Sequence, residues 1–324
     1  MDLPVEQMRR MLEQMLRIRE FDERAALLME QARVHGSVHL YCGEEAVAVG
    51  VCEALTGDDY ITSTHRGHGH LIAKGGDPKR MYAELFAKTT GYNRGKGGSM
   101  HLAALDLGMI GANGIVAAGA PIALGVAFAC RYLETDRVAV CFFGDGASNE
   151  GAFHEAVNMA SVLKAPVVFV CENNGYGEWS RTDTQSAVRD IADRAVAYGI
   201  PGVIVDGMDV MAVHEAAVEA VARARRGEGP TLLECKTYRF YDHVGRDFGV
   251  LKRDEEEIAR WRARDPITLW KQALVERGVI TEDDAAALQQ QIVDEMQEAI
   301  AWAEQGPDPE PADLWRDVYS EGGR

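Results

Sequence analysis

The stretch VAVCFFGDGASNEGAFHEAVNMASVLKAPVVFVCENN, residues 138–174, decides the fold. Val138 to Phe143 is a continuous apolar run that stops at Gly144. Phe153, Ala156, Val157, Ala160 and Leu163 then recur at helical spacing, and Pro166 opens a second apolar run, VVFVC, that ends at Asn173-Asn174. Strand, helix, strand in that order is a βαβ unit, whose parallel strands are buried on both faces.

The same reading extends outward. Val203 to Val205 predicts a third strand, residues 209–226 a helix, and Thr231 to Cys235 a fourth strand. The fold class that follows is α/β, a doubly wound, mostly parallel sheet with flanking helices. Upstream, the Ala/Gly-rich residues 116–133 predict a closely packed, buried helix. Val5, Met8, Met11, Leu12, Met15, Phe21 and Leu28 predict a long amphipathic helix over 5–31, with Pro4 near its start where a missing N–H costs little. Residues 36–115 carry many glycines and histidines without clean periodicity, and read as functional loops between short helices. Residues 254–305 read as helices and GPDPEPADLW, 306–315, as an extended arm. The expected organisation is an N-terminal helix (1–35), an α/β domain (36–250), and C-terminal helices with a tail (251–324) packed on that domain and on a partner.

Composition excludes some classes. A net charge of −17 without a Lys/Arg block leaves no basic face for nucleic acid. No apolar run approaches the roughly 20 residues that span a bilayer. The start MDLPVEQMRR has neither the apolar core of a signal peptide nor the Arg/Ser bias of a transit peptide. Six cysteines without a C-x-x-C pair, several of them in apolar runs, fit buried free thiols in a reducing compartment. The expectation is a cytoplasmic, soluble protein with no membrane contact.

Two loops carry the chemistry: Gly144-Asp145-Gly146 and Asn173-Asn174. Both follow the C-terminal ends of expected parallel strands, where open α/β sheets place their ligands. The 26 residues between them, 147–172, hold the crossover helix and the next strand, so neighbouring strands would set the loops side by side. Glycines flanking Asp145 allow close approach to a ligand, and the helix that follows offers free N–H groups to an anion. An aspartate there repels a diphosphate unless a cation intervenes. Mg²⁺ suits that position, taking carboxylate, amide, backbone carbonyl and phosphate oxygens. Asp145 supplies charge, Asn174 an amide oxygen, and a backbone carbonyl near Tyr176 completes the protein's share. Other phosphate motifs fail: Gly144-x-Gly146-x-x-Asn149 lacks the third glycine of a dinucleotide fingerprint, and Gly95-Lys96 is followed by Gly97-Gly98, with no Walker loop.

The paired GDG and NN motifs resemble the thiamine diphosphate fingerprint, and the resemblance runs along nearly the whole chain. VHLYCGEEAVAVG (38–50), DYITSTHRGHGHLIAKG (59–75), GKGGSMHL (95–102), GANGIVAAGAPIALG, CENNGYG, YGIPGVIVDGMDV and ECKTYR look like alpha subunits of 2-oxo acid and acetoin dehydrogenases. THRGHGH and CFFGDGASN are more similar to the acetoin branch than to mitochondrial pyruvate dehydrogenase. The resemblance implies the thiamine diphosphate-binding fold and the alpha half of an α2β2 heterotetramer. Its beta subunit would bind the aminopyrimidine and supply the activating glutamate, and a lipoyl-bearing acyltransferase core would accept the acyl group. The implied substrate is acetoin or pyruvate, with a branched-chain or other 2-oxo acid as the alternative. By matching position it also implies that Asp145, Asn174 and the Tyr176 carbonyl ligate Mg²⁺. Arg66 and His65 would contact the diphosphate. Gly114 and Val116 would approach the cofactor rings, Gly146 and Ala147 would line the diphosphate, and His39 and His243 would face the reacting centre as proton donors or orienters.

Several residues depart from the family pattern. Glu178-Trp179-Ser180 follows NNGYG, Asp242 precedes His243 where glycine is common, and Val244 stands where mammalian pyruvate dehydrogenase carries its regulatory serine. Two readings from other classes compete. His65, His68 and His70 could mark a metal-dependent phosphohydrolase, though their spacing is unusual for zinc and no clear carboxylate partner sits nearby. The chain could also be a catalytically silent structural subunit.

Overall fold

The computed structural model describes residues 3–34, 36–245 and 253–319. The expected boundaries at 35 and at 250/251 fall on residues outside that set. The strands in chain order are β1 (Tyr60–Thr62), β2 (Met109–Gly111), β3 (Ala139–Gly144), β4 (Val167–Asn173), β5 (Tyr176–Gly177), β6 (Ser180–Arg181), β7 (Gly202–Asp206) and β8 (Thr231–Lys236). Six of them form one parallel sheet in the order β2-β1-β3-β4-β8-β7, while β5 and β6 make a separate antiparallel hairpin. The expected βαβ unit is present, with β3 and β4 as neighbours in register from Ala139↔Val167 to Gly144↔Glu172 and the helix Gly151–Leu163 between them in sequence.

Alternation along the central strands splits the core into two layers. Ala139, Cys141, Phe143, Val167, Phe169 and Cys171 pack with the helices Gly119–Tyr132 and Gly151–Leu163. Val140, Phe142, Val168 and Val170 pack on the opposite side with the helices Val5–Glu30, Glu45–Cys52 and Val210–Arg225. Burial on both faces is why these strands read as unbroken apolar runs. All six cysteines are free and buried.

The long N-terminal helix, Val5–Glu30, buries Met8, Met11, Leu12, Met15, Ile18 and Phe21 along one stripe. Its Asp22 is fully buried and accepts from the Tyr41 amide and binds His68 Nδ1 (2.6 Å), tying the helix to loops that lead to the site. The C-terminal helix Glu282–Glu304 opens with a reciprocal Thr281–Asp284 capping box, a feature that typically contributes about 1 kcal/mol.

Three expectations are corrected. Residues 36–115 hold two short sheet strands, β1 and β2, besides loops and helices; three residues each are too few to show a period. The helix expected to be buried over 116–133 runs from Gly119 to Tyr132, and Ile122, Phe128 and Tyr132 are exposed at 39%, 52% and 77%. Only its alanine-rich side, Ala120, Ala123 and Ala127, meets the sheet. The expected extended arm turns into a short 3-10 helix, Pro311–Trp315, and is tied back by Thr89 N–H donating to the Pro307 carbonyl (3.0 Å). None of the described helices is long and apolar enough to cross a membrane.

Candidate functional site

A cleft of about 570 Å³ opens at the C-terminal ends of β1, β3 and β4. Parallel pairing of β3 with β4 brings the GDG and NN loops together there, as their spacing predicts. The approach is close: a Cβ on Gly146 would meet Gly177 Cα at 3.0 Å, and one on Gly177 would meet Gly146 Cα at 3.1 Å. Only paired glycines let the two backbones pass at that distance.

Asp145 lies at the end of β3, 2% exposed. Its Oδ2 accepts from the Thr182 hydroxyl, whereas Oδ1 has no hydrogen-bond partner. Burial raises its carboxyl above the ordinary range. Leaving a buried carboxylate oxygen unpaired is costly, which argues that a cation or donor belongs there. Asn174, also buried, accepts from the Tyr176 amide through Oδ1 (3.1 Å) and donates through Nδ2 to Glu44 Oε1 (3.0 Å). Gly146–Asn149 then forms a short 3-10 turn ahead of the helix Gly151–Leu163. Arg194 braces it by donating to the Ser148 carbonyl and to Asn149 Oδ1.

The opposite wall is basic and imidazole-rich. Arg66, 4% exposed, donates to the carbonyls of Leu40 (2.6 Å) and His243 (3.1 Å). His39, His65 and His243 form a triangle with ring centroids 4.8, 5.0 and 5.2 Å apart. Burial, followed by the positive charge of Arg66, pushes His39 and His65 down to about 2 and His243 to about 3. All three are therefore neutral near pH 7. Their ring nitrogens lie within 4.8 Å of one another, close enough to consider a metal. The guanidinium of Arg239, 3.4 Å from His243 Nδ1, and that of Arg66 oppose a cation at that point. Gly114 and Val116 complete the rim, Val116 being half exposed.

Every expected site residue lines this cleft: His39, His65, Arg66, Gly114, Val116, Asp145, Gly146, Ala147, Asn174, Tyr176 and His243. The His65, His68 and His70 cluster does not assemble there. His68 binds Asp22 and Ser99, and His70 binds Ser63 and Glu172, both rings being fully buried. Only His65 reaches the cleft, so the phosphohydrolase reading loses its ligand set.

Sequence reasoning overlooked Glu44, Thr182 and Arg239. Arg239 stands in the ECKTYR motif and Glu44 in VHLYCGEEAVAVG, but nothing local distinguishes either from a surface charge. Burial pushes Glu44 up to about 8 and Arg239 down to about 9. The departures Trp179 and Asp242 both sit against His243. The Trp179 ring lies 6.0 Å from it, edge-on, and Asp242 Oδ1 accepts its amide (2.7 Å).

An open parallel α/β sheet with a ligand-sized cleft at the C-terminal ends of its strands defines a protein of the doubly wound class. The comparisons narrow this. A family model described as dehydrogenase E1 component matches residues 13–312, and the chain belongs to that family. It is therefore an oxidoreductase of the thiamine diphosphate-dependent E1 type. It is 50% identical over 312 residues to the alpha subunit of the acetoin:2,6-dichlorophenolindophenol oxidoreductase of Bacillus subtilis (strain 168), covering 95% of this chain and 92% of that one. The corresponding Cupriavidus necator subunit is 46% identical over 303 residues, 93% and 91% of the two chains. The chloroplastic pyruvate dehydrogenase E1 component subunit alpha-3 of Arabidopsis thaliana is 40% identical over 315 residues, 95% and 73%.

Proposed function

We propose that this chain is the alpha subunit of an acetoin-cleaving dehydrogenase, holding the diphosphate and Mg²⁺ of thiamine diphosphate. The observation that carries the reading is the unpartnered, buried Asp145 Oδ1 beside Asn174 in a cleft walled by Arg66 and Arg239. The donor set fits the group: one carboxylate, one amide oxygen and the Tyr176 carbonyl suit Mg²⁺, and two guanidiniums suit a diphosphate. When bound, thiamine diphosphate supplies a nucleophilic carbon for cleaving the bond next to a carbonyl.

The remaining work belongs to this chain's residues. Arg66 and Arg239 would offset the diphosphate charge and neutral His65 would donate a hydrogen bond to it, while Gly146 and Ala147 would approach it through backbone and Gly114 and Val116 would border the rings. His39 and His243, held neutral, would orient the substrate carbonyl oxygen by N–H donation. Acetoin is favoured over a 2-oxo acid. Asp242 beside His243 and exposed Glu178 at the cleft add negative charge, which disfavours an anionic substrate. The acetoin-named relatives are also the more similar ones, at 50% and 46% against 40%.

The chain acts with a beta subunit, in an α2β2 assembly, and passes its acyl group to a lipoyl-bearing acyltransferase in the cytoplasm. The exposed apolar stripe Ile122, Phe128 and Tyr132, with Met159 and Val162 on the next helix, supports a large partner surface. The test is co-expression with the beta chain, followed by dye reduction with acetoin, pyruvate and branched 2-oxo acids. Activity with acetoin that requires thiamine diphosphate and Mg²⁺ is expected. Turnover of only the 2-oxo acids would overturn the substrate assignment.

A further inference from the structure

We infer that Glu44 is a positioning residue that fixes the Asn174 amide with its oxygen available to the metal, an inference that rests on the proposed function. Glu44 immediately precedes the helix Glu45–Cys52 and is 1% exposed. Its Oε1 accepts from Asn174 Nδ2 at 3.0 Å, while the Tyr176 amide donates to Asn174 Oδ1 at 3.1 Å.

These two partners define one orientation of an otherwise ambiguous amide. A half-turn would set Nδ2 against the Tyr176 N–H, a donor–donor clash in a buried site, and would give up the Nδ2 bond to Glu44 Oε1. In the fixed orientation the Tyr176 N–H uses one lone pair of Oδ1 and leaves the other for a cation. The second oxygen of Glu44 makes no hydrogen bond and lies 3.7 Å from Arg66 Nε. One carboxylate thus touches both the amide on the metal side and the guanidinium on the diphosphate side. The adjacent Glu45 is occupied differently, by Arg19 (2.5 Å) and the Gly43 amide (2.9 Å), so the two neighbouring acids divide structural and site duties.

Partners that orient a metal ligand typically set affinity by about 10- to 100-fold. The experiment is calorimetric titration of Mg²⁺ into the co-expressed alpha–beta complex at saturating thiamine diphosphate. Glu44→Ala should weaken Mg²⁺ by about tenfold or more. Glu44→Gln keeps an acceptor for Nδ2 and should stay within about threefold of the parent. Asn174→Asp sets two carboxylates against each other and should bind poorly. Adding Glu44→Gln to it supplies a donor to Asp at 174 and should restore much of the loss. Equal Mg²⁺ affinity in Glu44→Ala and the parent overturns the inference, as does a Glu44→Gln loss as large as that of Glu44→Ala. If Glu44→Ala does not fold, additive losses in the Asn174→Asp/Glu44→Gln pair overturn it instead. A parent complex with no Mg²⁺-dependent binding would defeat the underlying functional reading, a result distinct from these.

Discussion

Gly146 and Gly177 press their backbones together so closely that a methyl group on Gly146 would lie 3.0 Å from Gly177 Cα. The first glycine belongs to the loop after β3 and the second to the short strand β5, so the contact presses the segment that follows Asp145 against the one that follows Asn174. Gly146→Ala must push the loops apart, because the obstructing atom is backbone. The expected cost is about 1–3 kcal/mol of stability from overpacking. Thiamine diphosphate affinity should fall with it. Thermal denaturation and cofactor titration check this; unchanged affinity would mean that the loop spacing is irrelevant to binding.

The three imidazoles predict an acid-sensitive fold. An unfolded histidine titrates near pH 6.5, whereas His39 and His65 are pushed down to about 2 and His243 to about 3. Below about pH 6.5 the unfolded chain takes up protons that the fold refuses. Stability is therefore complete above that pH and is lost as pH falls towards the depressed folded values. Each imidazole contributes up to about 1.4 kcal/mol per pH unit. His65→Gln should flatten the acid limb by about one proton's worth of slope, measured by denaturant unfolding between about pH 6 and about pH 4.5. An identical slope in parent and variant rules out a neutral, buried His65.

The exposed apolar stripe on the helix Gly119–Tyr132 should fail as an interface when charged. Phe128→Asp places a carboxylate on a residue that is already 52% exposed, so the isolated chain should keep its stability within about 0.5 kcal/mol. Assembly should be lost, read as a smaller species by light scattering of the co-expressed complex. Wild-type assembly of this variant would assign the stripe to no partner.

How much of this was legible beforehand follows the length and burial of each segment. The βαβ unit showed in the sequence because β3 and β4 are buried on both faces, which leaves an unmistakable apolar run. Asp145 and Asn174 were legible because their loops end those runs. The strands Tyr60–Thr62 and Met109–Gly111 were not, since three residues carry no period. The helix 116–133 misled for another reason: its outer face is apolar, so composition could not separate a face meant for the sheet from one meant for a partner. Glu44 and Arg239 were hidden because burial of a charge depends on residues distant in sequence. Arg239 reaches His243 and the Glu178 carbonyl only after β8 has placed it beside the cleft.

If this chain anchors the diphosphate through a metal at Asp145, Asp145→Asn in the alpha–beta complex must weaken that anchor. The substitution keeps the shape of the side chain and an acceptor for Thr182, and removes a carboxylate whose burial already raises its pKa. Titration of thiamine diphosphate with and without Mg²⁺, beside a thermal melt of the cofactor-free protein, gives both readouts. The expected melting temperature is equal to or above the parent's, with Mg²⁺-dependent binding weakened by about 100-fold. Mg²⁺-dependent binding at the parent's affinity would contradict a metal anchor at Asp145.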